Sequence, residues 1–268
     1  MSATIPPSPF FPDVKFATED GLLCLGGELS PNVVLDALVR GIFPWPVYIG
    51  EEIPDFAIAR TPSETIAPRP FDAAKWNGFT PDDLDSLDAT GEALGWWAPD
   101  PRAIFDLNGV HIPRRLARTM RSGKFEVTFD QAFPEVMIAC AKAGARVEEG
   151  TWITREFFNV YCRLFELGFA HSAETWTIDS SSGKRRLVGG VYGVAINAFF
   201  DGESMFSVET DASKVALFSL LTRLKERGFL LFDLQILNSH TASLGGTEIP
   251  RAEYAKRLEK ALLTPVKF

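Results

Sequence analysis

The sequence predicts an α+β protein in which helices pack on a mixed β-sheet. From residue 125 onward, short apolar runs of strand length alternate with longer helical patterns. After the first helices of this half, the order is three strands, a helix, a strand and a final helix, which suits a layered fold. The 268 residues are 46% hydrophobic and 23% charged. These values are ordinary for a globular protein with a substantial core.

The first hundred residues predict a smaller unit. Residues 20–45 predict a strand, a turn and a helix that begins after Ser30-Pro31 and ends at Gly41. The following FPWP segment is expected to be rigid and extended. Residues 46–94 show weak periodicity and predict a surface excursion with a short helix near 81–88. The segment WWAPDPRAIF then predicts a turn that leads into a strand.

The remaining elements follow from periodicity and capping residues. We expect helices over 113–122, from Asp130 to about 143, from Thr154 to Gly168, from Asp211 or Ser213 to Gly228, and after Pro250. Strands are expected over 125–129, 170–178, 186–197, 198–207 and 229–237.

Charge and composition restrict the cellular setting. The N-terminus lacks the basic start and apolar run of a signal peptide, and no stretch has the length of a membrane span. The three cysteines, Cys24, Cys140 and Cys162, have no metal-like spacing and are expected to be reduced core thiols. We therefore expect a cytoplasmic protein without a metal.

The net charge of −8 initially argues against a nucleic-acid partner. However, residues 46–94 hold ten acidic and three basic side chains, and thus carry −7 of that charge. The rest of the chain is close to neutral. An RNA-binding face is therefore possible if the remaining basic residues are clustered.

One such cluster lies on the helix predicted over 113–122. Arg114, Arg118 and Arg121 recur on one helical face, with Arg115 beside them and Lys124 shortly after. Such a stripe can be an ordinary solvated helix face, or it can contact phosphates.

Two polar residues interrupt the apolar strand FLLFDLQIL. Residues two apart on a strand point to the same side, so Asp233 and Gln235 are expected to lie side by side. Burying an acid and an amide costs several kcal/mol unless partners satisfy them. The pair is therefore either a functional site or a polar strand end that fixes the next loop.

Two further segments carry candidate groups. Glu203 of DGESMFS lies among apolar residues, and is either an active-site acid or a turn acid paired with a Lys or Arg. The run LNSHTASLG over 237–245 follows the candidate strand. Within it, His240 could act as a base, or the run could cap a helix.

Several motifs together resemble the leucyl/phenylalanyl-tRNA–protein transferase family. They stand in the family's order and cover nearly the whole chain outside 46–94. The quoted blocks are GLLCLGGELSP, RGIFPWP, WWAPDPRAIF, GTWIT, LGFAHSAETW, LVGGVYGV, GESMFS, DASKVAL and FDLQILNSHTASLGGTEIPR.

The resemblance implies both fold and activity. The fold would be a small N-terminal α/β domain over 1–100, including the acidic insertion, and an acetyltransferase-like (GNAT-type) catalytic domain with a mixed sheet over 101–268. The activity would be transfer of Leu, Phe or Met from aminoacyl-tRNA to proteins that begin with Arg or Lys. This transfer marks them for degradation by the N-degron route. No cofactor is implied, and we expect a monomer.

The resemblance also assigns site residues. Asp233 and Gln235 would be the catalytic pair, with Glu203 as an active-site acid. Trp45 and Trp152 would lie near the terminal adenosine of the tRNA, with Asn238 contacting substrate. The arginine face over 114–121 with Lys124 would hold the tRNA acceptor stem. The pocket for the transferred side chain would be lined by Val191, Phe200, Met205, Leu217, Leu220 and Phe232.

The roles within the pair remain open. Gln235 cannot ionise, so it can only orient groups, for example by accepting a hydrogen bond from the attacking amine. Asp233 either anchors Gln235 and attracts the cationic acceptor, or acts as a general base. We favour the electrostatic role.

The sequence departs from the family pattern at three places. About 49 residues separate FPW from the WW block where the family has a short loop. Val208 stands where an Arg commonly follows GESMFS, and Leu38 where an aromatic residue is common. The insertion could oppose tRNA or recruit a basic acceptor N-terminus.

Two other functions compete with this one. An acyl-CoA-dependent N-acetyltransferase would need a glycine-rich pyrophosphate turn opening a helix, and none precedes the Asp211 helix. A non-catalytic relative of the same fold would not need the Asp233–Gln235 pair.

Overall fold

The computed structural model describes residues 8–47, 93–143, 152–179 and 181–268. A 3-10 turn over Val14–Phe16 precedes the first sheet, which is antiparallel and has the order β1-β3-β2. Its strands are β1 (Leu22–Leu25), β2 (Phe43–Val47) and β3 (Ala93–Trp97). Helix α1 (Pro31–Leu38) connects β1 to β2. Trp96 anchors this sheet, since its side chain is completely buried and its indole N–H donates to the Gly26 carbonyl.

The second sheet has seven strands in the order β10-β4-β9-β8-β7-β6-β5. Only β8 and β9 run parallel; the other neighbours are antiparallel. The strands are β4 (Arg102–Phe105), β5 (Glu126–Phe129), β6 (Ala170–Ile178), β7 (Arg185–Ile196), β8 (Phe199–Ser207), β9 (Leu231–Gln235) and β10 (Thr247–Ile249). The predicted α+β class with a mixed sheet is therefore confirmed.

Helices cover the second sheet. Their bounds are α2 (Arg114–Arg121), α3 (Phe133–Ala141), α4 (Arg155–Glu166), α5 (Ala212–Arg227), α6 (Ser239–Ser243) and α7 (Arg251–Leu262). Consecutive strand residues contribute to two separate apolar clusters, as the two-residue period requires. Phe199 packs in the cluster with α3 and α4, whereas Phe200 packs in the cluster with α5. Both sides of the sheet are thus buried.

Several predicted helix ends are confirmed. Pro31 opens α1 after Ser30, and the Thr154 hydroxyl accepts from the Phe157 N–H at 3.4 Å at the start of α4. Gly228 ends α5 in the left-handed conformation that glycine favours. The three cysteines lie in the core as predicted.

The predicted helix cap at Asp130 is wrong. Helix α3 begins at Phe133 after Ala132, and Asp130 adopts a positive φ of 58°. Its carboxylate instead accepts from the Ser172 N–H at 2.9 Å and contacts His171. A tertiary contact has therefore replaced the local cap.

Three other details differ from the sequence prediction. Trp96 and Trp97 lie in β3 rather than in a turn, and the turn follows them. Asp211 precedes α5 with a φ of 71° and makes no side-chain cap. The sequence patterns also missed the 3-10 turn and β10.

The predicted domain boundary near residue 100 falls between β3 and β4, which belong to different sheets. The division into 1–100 and 101–268 stays a prediction. The acidic insertion, including the helix predicted near 81–88, lies outside the described residues apart from its ends. Among the helices that the structure describes, none is long and apolar enough to cross a membrane.

Candidate active site

A half-enclosed cavity of about 280 Å³ opens beside the ends of β8 and β9. Its walls come from both sheets, from helix α5 and from the segment around α6. The lining is mainly apolar, with a few polar side chains at one end. The residues are Phe43, Trp45, Phe105, Trp152, Val191, Gly202, Glu203, Ser204, Met205, Leu217, Phe232, Leu234, Gln235, Ile236, Asn238 and Thr241.

Four of the six residues predicted for the side-chain pocket line this cavity: Val191, Met205, Leu217 and Phe232. The other two, Phe200 and Leu220, are completely buried in the α5-side core instead. The Phe200 ring lies behind the wall, with its centroid 5.1 Å from that of Phe232. Sequence reasoning missed further apolar lining residues, namely Phe43, Phe105, Leu234 and Ile236.

Two tryptophans form an aromatic surface in the cavity. The rings of Trp45 and Trp152 stack with centroids 4.9 Å apart and an interplanar angle of 24°. Trp45 is 37% exposed. No partner for the buried Trp152 indole N–H is found among the described residues. The pair thus offers both a flat aromatic face and a hydrogen-bond donor.

Asn238 occupies the N-cap of α6. Its Oδ1 accepts from the Thr241 N–H at 2.8 Å, and the Thr241 hydroxyl accepts from the Asn238 N–H. The cap uses the side-chain oxygen of Asn238 and not its amide nitrogen, and because Asn238 also lines the cavity, that nitrogen is a candidate donor to a ligand. His240 is exposed on the same short helix and does not line the cavity. The run over 237–245 therefore caps a helix and supplies one candidate contact.

Asp233 lies behind the cavity in a fully satisfied buried position. Both of its carboxylate oxygens bind the guanidinium of Arg102, with Nη2 to Oδ2 at 2.6 Å and Nε to Oδ1 at 2.9 Å. The Tyr254 hydroxyl also donates to Oδ2 at 2.5 Å. The Asp233 side chain is 0% exposed and does not line the cavity. In this arrangement, the Asp233 carboxylate therefore cannot contact a substrate directly.

Arg102 connects this strand to the first sheet. Its Nη1 donates to the Gly41 carbonyl at 2.9 Å, and its guanidinium lies over the rings of Phe43 and Tyr254. Burial alone would lower the pKa of Arg102, but the Asp233 carboxylate raises that pKa above its ordinary value. The arginine thus stays charged in the core. Sequence reasoning missed it, although a charged residue opening the apolar strand RAIF was a visible signal.

Gln235 does not sit beside Asp233 on a regular strand, as the two-residue period predicted. Its φ is 65°, and the pairing of β9 with β4 shifts register between Ala103 and Ile104. The Asp233 Oδ1 accepts from the Gln235 backbone N–H at 2.8 Å and so stabilises this conformation. The side-chain amide instead donates to Asp201 at 3.1 Å and to Glu203 at 3.4 Å.

Glu203 lines the polar end of the cavity. Its Oε1 accepts from the Tyr161 hydroxyl at 2.6 Å. Burial raises the pKa of Glu203 to about 7, while hydrogen bonds from Tyr161, Asp201 and Gln235 oppose the rise. Its partners are therefore neutral or acidic groups rather than the Lys or Arg of a turn acid. A carboxyl with this pKa can exchange a proton near neutral pH.

Asp201 is the acid that sequence reasoning missed. It lies on β8 opposite Asp233 and is completely buried. Its position between Phe200 and Gly202, inside a strand, was the available signal. The glycine is needed there because a Cβ at residue 202 would lie 2.6 Å from the Phe232 ring.

The predicted basic face is on the surface. All four arginines of α2 (Arg114, Arg115, Arg118 and Arg121) are exposed, and only Leu116 of that helix is buried. Lys124 is also exposed, and it forms a 3.3 Å ion pair with Glu209. Among the described residues, no group of His, Cys, Asp and Glu side chains could hold a metal ion.

The mixed sheet and this cavity define the class of the protein. It is an α+β protein that can take up an apolar group and present it to a buried cluster of carboxyl and amide side chains. Comparisons with known proteins agree with this class and narrow it. A model of the family described as leucyl/phenylalanyl-tRNA protein transferase matches residues 104–259.

Relatives with that name match most of the chain. The Anaeromyxobacter dehalogenans (strain 2CP-C) protein is 38% identical over 97% of this chain and 91% of its own. The Aromatoleum aromaticum protein is 40% identical over 93% and 86%, respectively. The chain therefore belongs to the leucyl/phenylalanyl-tRNA–protein transferase family, a family of aminoacyltransferases.

A solved structure gives a weaker likeness. The crystal structure of FemX aligns with a TM-score of 0.41 and 10% identity, over 60% of this chain and 64% of that one. A likeness at this level carries no argument about fold or function.

Proposed function

We propose that this protein transfers Leu, Phe or Met from aminoacyl-tRNA to the N-terminal Arg or Lys of acceptor proteins. The product would be marked for degradation by the N-degron route in the cytoplasm, and the protein would act as a monomer. The observation that carries this proposal is the apolar cavity that ends at Gln235 and Glu203 in a member of this family. The predicted acetyltransferase-like catalytic domain over 101–268 would supply most of this site.

The chemistry that the site must support is modest. The neutral α-amine of the acceptor attacks the ester carbonyl of the aminoacyl-tRNA. A C–N bond forms, the C–O bond to the ribose breaks, and the ribose oxygen takes up a proton. The ester is already activated, so no cofactor is required. Holding the two reactants in place can contribute ~7–11 kcal/mol.

Glu203 is suited to remove a proton from the ammonium form of the acceptor amine. An α-amine has a reference pKa of about 8, so it is mostly an ammonium ion at neutral pH. With its own pKa raised by burial to about 7, the Glu203 carboxylate can accept the proton that the ammonium ion must lose. Its negative charge also attracts the cationic acceptor.

Gln235 is proposed to orient the attacking amine. Its Nε2 donates to the two acids, which leaves its carbonyl oxygen free to accept from an amine N–H. Asp233 then acts through Gln235 rather than on the substrate, because Arg102, Tyr254 and the Gln235 backbone occupy its oxygens. We therefore propose that Asp233 positions Gln235, in place of the expected role of attracting the cationic acceptor.

The cavity is proposed to bind the side chain of the transferred amino acid. Val191, Met205, Leu217 and Phe232 give an apolar slot that suits Leu, Phe or Met. A branched Cβ, as in Val or Ile, would clash at its mouth. The Trp45–Trp152 surface would take the terminal adenosine by stacking, with Asn238 donating from its side-chain amide.

The exposed arginines of α2 are proposed to hold the acceptor stem of the tRNA. Exposed basic side chains on one helix can contact phosphates without reading sequence. Lys124 would add to this surface if tRNA displaces Glu209 from its ion pair.

One assay tests the activity. Purified protein is incubated with radiolabelled Leu-tRNA or Phe-tRNA and a protein that begins with Arg, beside the same protein beginning with Glu. We expect label on the Arg substrate only, and labelling about ten- to a hundredfold slower with Gln235→Ala. A parallel incubation with labelled acetyl-CoA tests the acetyltransferase alternative. Absence of aminoacyl transfer by folded protein would refute the proposal.

A further inference from the structure

Among the described residues, no Lys, Arg or His side chain forms a hydrogen bond or ion pair with the neighbouring acids Asp201 and Glu203. Asp201 is 0% exposed, and its Oδ2 accepts from Gln235 Nε2 at 3.1 Å. The same Nε2 donates to Glu203 Oε2 at 3.4 Å. No N–H or O–H group of the described residues reaches the Asp201 Oδ1. A single amide nitrogen therefore contacts both carboxyl groups, and Glu203 has the Tyr161 hydroxyl as a second donor.

The charged groups around this pair do not neutralise it. Asp233 faces it from β9 and Arg102 from β4, but these two satisfy each other. Among the described residues, Tyr161 on α4 and Tyr254 on α7 also interact with these acids. Burial raises the pKa of both tyrosines well above the ordinary value, so their hydroxyls are neutral. Two carboxylates buried side by side without a cation cannot both be ionised.

The contact between the two acids shows which kind of hydrogen bond is possible. Asp201 Oδ2 and Glu203 Oε2 are brought together at the same nitrogen, Gln235 Nε2. Two carboxyl oxygens can hydrogen-bond only if one of them carries a proton. That proton also gives the buried Oδ1 of Asp201 a role as a donor.

We infer that Asp201 is a further positioning residue of the transfer site: it remains protonated, donates to the Glu203 carboxylate and accepts from the Gln235 amide. The two acids then carry one negative charge, located on Glu203 at the cavity. Asp201 is the better proton holder because it is the more deeply buried of the two. In agreement, burial followed by the charges of Glu203 and Asp233 raises the pKa of Asp201 well above its ordinary value.

This arrangement determines how Gln235 is turned. Because both acids present acceptor oxygens, the Nε2 end of the amide must face them, and the carbonyl end faces the cavity. Without Asp201, Gln235 would lose one of its two anchors. The effect of Asp201 on transfer rests on the proposed function. The protonation of Asp201 does not.

Two substitutions at Asp201 test whether the residue acts as a neutral hydrogen-bonding group or as a negative charge. Asp201→Asn keeps an acceptor for Gln235 and a donor for Glu203, so we expect transfer within about threefold of wild type and an unchanged pH profile. Asp201→Val removes both. We expect kcat to fall about ten- to a hundredfold, with little change in KM for aminoacyl-tRNA. The acidic limb of the pH profile should move to higher pH, because the Glu203 carboxylate loses a donor.

Thr128→Val is the matched control, because it also replaces a buried polar residue of the same sheet by valine. We expect it to lower the unfolding temperature without moving the pH profile. If Asp201→Val also leaves the profile in place, or if Asp201→Asn is as slow as Asp201→Val, the positioning role is refuted.

Infrared difference spectroscopy of wild type against Asp201→Asn at neutral pH tests the proton itself. We expect wild type to show the carbonyl band of a protonated carboxylic acid that the variant lacks. A carboxylate band in its place would overturn the inference. This measurement needs no activity, so it still decides the protonation of Asp201 if aminoacyl transfer is not found.

Discussion

Arg102 and Asp233 form an ion pair in which the two side chains are 2% and 0% exposed. Removal of one partner leaves an uncompensated charge in the core. We therefore expect Arg102→Met and Asp233→Asn each to lower the free energy of unfolding, by about 3–5 kcal/mol for Arg102→Met. The double variant should lose less than the sum of the two. Urea unfolding of all four proteins measures this coupling, and strict additivity would contradict it.

The positioning role of Asp233 predicts a kinetic effect as well. Asp233→Asn weakens the group that accepts from the Gln235 backbone N–H, so the amide should lose its alignment. We expect slower single-turnover transfer, with smaller changes in the binding of aminoacyl-tRNA. Gln235→Ala should slow the same step about ten- to a hundredfold. If Asp233→Asn keeps the wild-type rate, Asp233 does not position Gln235.

Glu203 predicts a pH dependence of the transfer rate. Since burial raises its pKa to about 7, the carboxylate is lost as pH falls through that value. The acceptor amine is also protonated there. The wild-type rate should therefore fall as pH decreases below about 7, where the carboxylate that takes up the ammonium proton is lost. In Glu203→Gln the amine must lose its proton to solvent, so its rate should already fall below the reference pKa of the amine, about 8. The same midpoint for both proteins in single-turnover assays would remove Glu203 from the proton transfer.

The same carboxyl predicts a pH dependence of stability. The folded protein keeps the Glu203 proton up to about pH 7, whereas an unfolded chain releases it near the ordinary value of 4.5. The contribution of this group to stability is therefore lost as pH rises between these values. The stability of Glu203→Gln relative to wild type should increase from about pH 5 to about pH 8. Thermal unfolding at both pH values checks this, and a constant difference would contradict it.

Leu217 and Leu220 provide a matched pair of buried leucines on α5. Both are at most 2% exposed, but only Leu217 lines the cavity. Replacement of either by Ala should cost about 2–5 kcal/mol of stability. Only Leu217→Ala should change the ratio of transfer from Leu-tRNA and Phe-tRNA, in favour of the larger Phe. Competition assays with both tRNAs measure the ratio, and an equal shift in Leu220→Ala would place the pocket wall elsewhere.

The arginines of α2 predict a salt dependence of tRNA binding. Each lost phosphate contact should reduce the slope of log K against log salt by about one. We expect Arg114→Ala, Arg118→Ala and Arg121→Ala to weaken binding of Leu-tRNA and Phe-tRNA alike. Lys256→Ala, at an exposed position on α7, is the charge-matched control. If that control gives the same change in slope, the effect is one of net charge alone.

Local patterns were sufficient for most of the fold. The strand over 170–178 and the helix that begins after Thr154 follow from periodicity and one capping residue, and both were predicted with accurate bounds. Asp130 was misassigned because its conformation depends on Ser172, a residue on another strand. Capping rules contain no information about such a contact.

The site was predictable where its chemistry shows in neighbouring residues. Asp233, Gln235 and Glu203 stand out because polar groups interrupt apolar strands. Arg102 was missed because its carboxylate partner is 131 residues away along the chain. The conformation of Gln235 depends on the register shift between β9 and β4, which no two-residue pattern can indicate. The side chain of Gln235 therefore contacts Asp201 and Glu203, instead of lying beside Asp233 as expected.

The hydrogen bond from Arg102 to the Gly41 carbonyl has a consequence for how the protein could be divided. A fragment that starts at residue 101 would keep Asp233 and Tyr254 but lose Gly41 and Phe43, which cover the other side of the guanidinium. Water would enter beside the ion pair that holds the Gln235 strand. The first sheet must therefore pack against the second to complete the site. We expect the fragment that starts at residue 101 to be inactive in transfer from tRNA.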